Sequence, residues 1–137
     1  MKESISRILF LSALGCVPLM GLLVLPVLVG GFVDDLGLSE RDAGLLASAS
    51  FLGAALAALT LAPLISRLNL RRLATLGLLI MAVADGACIF VDRLSIEVLV
   101  VLRFLSGLGS AGVYGAVMGG FAGFRQPDRA YGLFMAC

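Results

Sequence analysis

From Ile8 to Phe32 the chain runs for 25 residues without a charged side chain. As a helix that run rises about 37 Å, more than the roughly 30 Å hydrocarbon core of a bilayer. Three more apolar runs follow, at about 43–65, 73–91 and 98–124, and the last two hold one charged residue each, Asp85 and Arg103. Soluble helices carry a polar face along their length, and four successive runs of this kind do not. The chain is therefore expected to be an all-α, polytopic membrane protein whose partner is the lipid bilayer. Its mean hydropathy of +1.10 agrees.

A signal peptide is the alternative reading of the first run, because Lys2 and Arg7 precede it. Its apolar region would span only about 7–15 residues before a small-residue cleavage site, and neither condition is met. Pro18 and Pro26 lie inside this run and are expected to kink the helix, which neighbouring helices in a membrane can accommodate. Ser39 followed by Asp42 has the spacing of a capping box at the head of the second helix. Pro127 and Asp128 signal another helix start, from which an apolar segment, 130–137, runs on. Eight residues rise only about 12 Å. That fifth helix reads as begun and incomplete, so residues 1–137 read as part of an N-terminal transmembrane domain.

The connections give the direction of each span. Lys2, Arg7, Arg67, Arg71, Arg72, Arg125 and Arg129 fall on one side, and only Arg41 and Arg93 on the other. The positive-inside rule puts the first set in the cytoplasm. The expected location is a bacterial-type inner membrane, with the N-terminus cytoplasmic and helix 4 returning to the cytoplasm at Phe124.

Several chemistries are excluded. There is no histidine, and Cys16, Cys88 and Cys137 are scattered through apolar sequence, so neither a disulfide framework nor a metal-ligand spacing is present. No G-x-x-x-x-G-K-[ST] phosphate loop occurs, and no long basic run would bind nucleic acid. No catalytic residue, metal or cofactor is expected, and the chain is not read as an enzyme.

Two intramembrane charges carry the functional reading. Arg103 lies five residues after Val98, about 8 Å into its helix, and Asp85 lies six residues before Val91, about 9 Å in from the same end. A short turn makes helices 3 and 4 antiparallel, so the two charges come to nearly equal depth and are expected either to pair or to form a proton site. Ser106, Ser110 and Tyr114 fall within about 60° of Arg103 and extend it into a polar strip, the candidate wall of a substrate cavity. The rival reading of each charge is an interfacial residue snorkelling to the surface. Small residues also recur at a spacing of four, at Gly107, Ala111, Gly115, Gly119 and Gly123, a seam expected to serve helix packing.

With those residues in view, the chain resembles the N-terminal part of a major facilitator superfamily transporter. The order of spans and short loops is similar. So are GLSERDAGLLASASFLGAAL at the head of helix 2, the basic turn SRLNLRR between helices 2 and 3, and RFLSGLGSAG in helix 4. The family pattern for that turn has an aspartate where Ser66 stands and a glycine near Asn69, while Arg67, Arg71 and Arg72 match its basic positions. The resemblance implies a cytoplasmic gating loop at 66–72. It implies a fold that is most of one six-helix half, and missing C-terminal helices as partners. It also implies a permease for small-molecule substrates, secondary active or facilitative, with proton-coupled efflux as one form. A compact four-helix exporter would need an acidic residue in helix 1, and none is there. A multi-span scaffold or subunit without transport of its own is the remaining alternative.

Overall fold

The computed structural model describes residues 5–34, 37–124 and 126–136. Lys2, Arg125 and Cys137, used in the sequence reading above, lie outside them. The described chain is helical throughout: α1 (Ile5–Asp34), α2 (Glu40–Leu61), α3 (Leu70–Ala87), a 3-10 segment at Cys88–Arg93, α4 (Ile96–Ala122) and α5 (Pro127–Ala136). α2, the stretch Leu70–Phe90 and α4 are long and apolar enough to cross a membrane, and the described residues of α1 add a shorter apolar stretch, Ser6–Gly21. Outward-facing side chains such as Leu23, Val27, Leu59, Val83 and Ile89 are all at least 70% exposed, as suits a surface solvated by lipid.

Local chemistry sets the helix ends. Ser39 caps α2: its Oγ accepts from the Asp42 amide at 3.1 Å and donates to Asp42 Oδ2 at 2.8 Å. The connection before it turns at Gly37, whose φ of +63° is left-handed and open to glycine without steric cost. Asn69 caps α3 by accepting from the amides of Arg71 and Arg72 at 3.1 and 3.3 Å. The helix therefore starts at Leu70, not near residue 73, and Arg71 and Arg72 occupy its first turn rather than a loop. α3 also ends earlier than expected. Gly86 weakens helix propensity there, and Phe90 leaves helical geometry at φ −92°, ψ 29°. α1 stays helical through both Pro18 and Pro26.

α4 is the central element, packing most extensively on α2 and α3 and less on α1 and α5. Glycines permit this. A Cβ placed on Gly107 would collide with the Ser50 carbonyl oxygen of α2, and one on Gly53 would collide with the Phe104 carbonyl oxygen of α4. On the α3 side, Cβ positions at Gly77 and Gly109 would each lie 2.7 Å from the other residue's carbonyl oxygen. The seam expected from four-residue spacing is thus only partly the real one. Gly119 packs against Ile65 and Leu70, whereas a Cβ on Gly123 would meet only its own helix. A strict spacing of four drifts about 40° per step around an α-helix, so no single neighbour can follow it.

At the other end of α4, Phe121 is fully buried among Phe134, Tyr131 and Phe124, with its ring 5.5 Å from Tyr131 and 5.7 Å from Phe134. Tyr131 donates its hydroxyl to the Met118 carbonyl at 2.9 Å, fixing α5 against α4. The Arg7 guanidinium sits 5.5 Å above the Phe124 ring, so the start of α1 and the end of α4 lie on the same side of the bundle.

Overpacking a tight backbone contact costs about 1–3 kcal/mol or more. Gly53→Ala and Gly107→Ala are therefore expected to lower the melting temperature in detergent clearly. Gly44→Ala, where an added Cβ meets nothing within 4 Å, should be neutral or stabilising through its helix propensity. Equal melting temperatures for the three variants would contradict this packing scheme.

Candidate functional site

Asp85 and Arg103 meet. Nη1 of Arg103 donates to Oδ1 of Asp85 at 3.2 Å, across α3 and α4. The antiparallel packing at Gly77 and Gly109 brings the two helices into register, and the pair forms further along the same interface. Its two ends are unequally open: the Arg103 side chain is 16% exposed and that of Asp85 44%. Cys88, one turn beyond Asp85, lies in the field of the same pair and within hydrogen-bonding reach of Arg103. The pair thus draws in a thiol to which the scattered cysteine pattern assigns no role.

The pair opens on a cavity of about 330 Å³. Pro18, Met20 and Val24 of α1 form one wall, and Ser50, Phe51 and Ala54 of α2 form the next. Met81 stands with Asp85 on α3, and Ser106 and Ser110 with Arg103 on α4. Most of the lining is apolar, with one ion pair and three hydroxyls set into it. The hydroxyls are partly committed to their own helices: Ser110 donates to the Gly107 carbonyl at 2.8 Å and Ser50 to the Leu46 carbonyl at 3.3 Å. Such hydroxyls keep acceptor lone pairs for a ligand.

Arg103, Ser106 and Ser110 therefore share one cavity. Tyr114 does not join them. It sits eleven residues along α4 from Arg103, about 16 Å by axial rise, and lines a second cavity of about 430 Å³ with Tyr131, Met118, Leu61 and Ile65. Its ring tilts against Phe134 at 6.3 Å. The strip has the angular phase expected of it, but depth divides it between two compartments. Ser50, Phe51 and Met81 carried no signal in the sequence that would have placed them with the charges, because only packing brings them there.

The residues expected to form a gating loop do not line this cavity, and they divide between two local structures. Ser66 and Arg67 form the turn, while Asn69, Arg71 and Arg72 build the first turn of α3. Among the described residues no group of acidic, cysteine or histidine side chains could hold a metal ion.

A family model described as Major Facilitator Superfamily matches residues 9–137. No curated protein and no solved structure matches the chain.

Removing one partner of a fully buried ion pair costs about 3–5 kcal/mol, and of a surface pair about 1 or less. With Asp85 partly open, Asp85→Arg or Arg103→Asp alone is expected to destabilise the protein by about 1–3 kcal/mol. The double exchange should recover most of that loss in a thermal melt. A double variant no better than the singles would show that the two charges do not support each other.

Proposed function

The chain belongs to the major facilitator superfamily, and on that premise we propose that this membrane transporter carries its small solute through the Asp85–Arg103 cavity by proton-coupled efflux. The observation that supports this reading is the ion pair itself, joined at 3.2 Å on the wall of an apolar cavity. A charge in a spanning helix costs roughly 2.5–3.5 kcal/mol at the helix centre on insertion scales, and such residues usually face a cavity or a pathway. Here one charge offsets the other, and the carboxylate end remains open.

In this reading the ion pair acts as the coupling device. Ionised, Asp85 holds Arg103 through a charge-assisted hydrogen bond. A proton taken up by the carboxylate removes its negative charge and frees the guanidinium to turn toward another acceptor. The cavity then exists in two electrostatic states, and a solute that favours one of them links its own movement to that of the proton. Ser106 and Ser110 offer hydroxyl oxygens along the same wall. The rest of the pathway belongs, in this reading, to further helices of the same protein, and the turn at Ser66 and Arg67 with the head of α3 belongs to the cytoplasmic gate.

Transport of a solute panel by membrane vesicles containing the protein, with and without an imposed proton gradient, tests this. At least one solute should move only when the gradient is present. Asp85→Asn should abolish the gradient dependence while leaving the protein in the membrane. Transport that ignores the gradient would remove the coupling, and the absence of any flux would favour a scaffold or subunit.

A further inference from the structure

We propose that the Asp85–Arg103 cavity selects singly charged organic cations with an apolar body; this rests on the transport reading above and names its substrate class. The key observation is the asymmetry of the pair. Asp85 is 44% exposed and Arg103 only 16%. Both residues line the cavity, and the carboxylate is the more exposed end of the pair. An approaching cation meets an accessible carboxylate. An anion would have to reach a guanidinium that lies deeper and already donates to Asp85.

The remaining walls fit the rest of such a molecule. Phe51, Met81, Met20 and Pro18 offer an aromatic ring, two flexible thioether side chains and a proline ring to an apolar body. Phe51 is half-exposed, so its ring face is available to a cationic head group. Stoichiometry limits the charge to one. Among the described residues Asp85 is the only acidic one on the lining, and Arg103 already draws on it, so a second positive charge on the solute would find no partner there. A proton and an organic cation then compete for the same carboxylate, which makes the exchange of one for the other a direct consequence of the site.

The test is displacement of tritiated 4-phenylbutylammonium from the purified protein by three molecules of matched shape: 4-phenylbutylammonium itself, 4-phenylbutanol and 4-phenylbutyrate. The ammonium should displace the label at least about tenfold more strongly than the alcohol, and the carboxylate least of all, as a charge-assisted contact demands. Asp85→Asn should lose about tenfold or more in affinity for the ammonium, while Asp85→Glu retains most of it. Because Asp85→Asn leaves Arg103 without its carboxylate, Asp85→Asn combined with Arg103→Leu serves as the second variant. It removes both charges and should also fail to bind the ammonium.

An alcohol that binds as well as the ammonium, or an ammonium that binds the double variant unchanged, would overturn the cationic assignment. In the first case, loss of alcohol binding in Met81→Trp would keep the cavity as the solute site and discard only the substrate class. If the ammonium does not bind at all while vesicles still transport other solutes, the substrate class falls and the transport reading stands.

Discussion

The bundle depends on how closely α4 can approach its neighbours. Lipid tails are as apolar as leucine side chains, so burying apolar surface does not drive helices together inside a bilayer, and dispersion contacts must do so. Those contacts are strongest where backbones touch. Gly53 and Gly107 on one side, and Gly77 and Gly109 on the other, leave the space in which α2 and α3 lie directly against α4. The two glycines of α4 are only two residues apart, about 200° around the helix, so one short segment presents two nearly opposite contact faces. α4 is gripped from both sides at the same depth.

The ion pair inherits its geometry from that grip. With α3 and α4 fixed at Gly77 and Gly109, Asp85 lies about two turns from the contact on one helix and Arg103 somewhat under two turns on the other. Antiparallel helices carry those offsets toward the same end of the bundle, and the side chains span what separation remains. The cavity has a related origin. Tight contacts draw α2, α3 and α4 together, while α1 packs mainly on α4 near Gly15 and Gly120, where Leu11, Val117 and Phe134 fill the interface. Beyond Gly15 the α1 wall stands off far enough to leave the space that Pro18, Met20 and Val24 line.

What the sequence made legible follows from which signals are local. Spans are one-dimensional quantities, and the four apolar runs with the Pro127–Asp128 start signal point to each of the five α-helices found among the described residues. The meeting of Asp85 and Arg103 was also legible, because a short turn and the axial rise suffice to equate two depths. The boundaries of α3 were less so. Its start depends on an Asn69 cap that reads equally well as a loop residue, and its end on a change to 3-10 geometry from Cys88 that hydropathy does not register. The packing seam was misplaced at Gly123 because a periodic motif says where small residues are, not which neighbour passes them. Gly109, outside the four-residue repeat, proves more important than Gly115, where an added Cβ would make ordinary contact with Ile65 at 3.6 Å.

The division of the polar strip has a consequence for the chemistry. Arg103, Ser106, Ser110 and Tyr114 share an angular sector of α4, yet the ion pair opens on one cavity and Tyr114 on another whose lining is almost wholly apolar. Of the two cavities along α4, fixed charge therefore lines only the one at the Arg103 end, and the other end is held by stacked rings around Phe121 and by the Tyr131 hydroxyl. Electrostatic interaction falls with distance and with effective dielectric, so a change of charge at Asp85 acts strongly on Arg103 and Cys88 and weakly on ring packing some 16 Å along the helix. Under the coupling proposed above, a signal from the charged end would have to travel as movement of helices. The glycine contacts that clamp α4 to α2 and α3 are the closest backbone approaches through which a shift of one helix would reach the next.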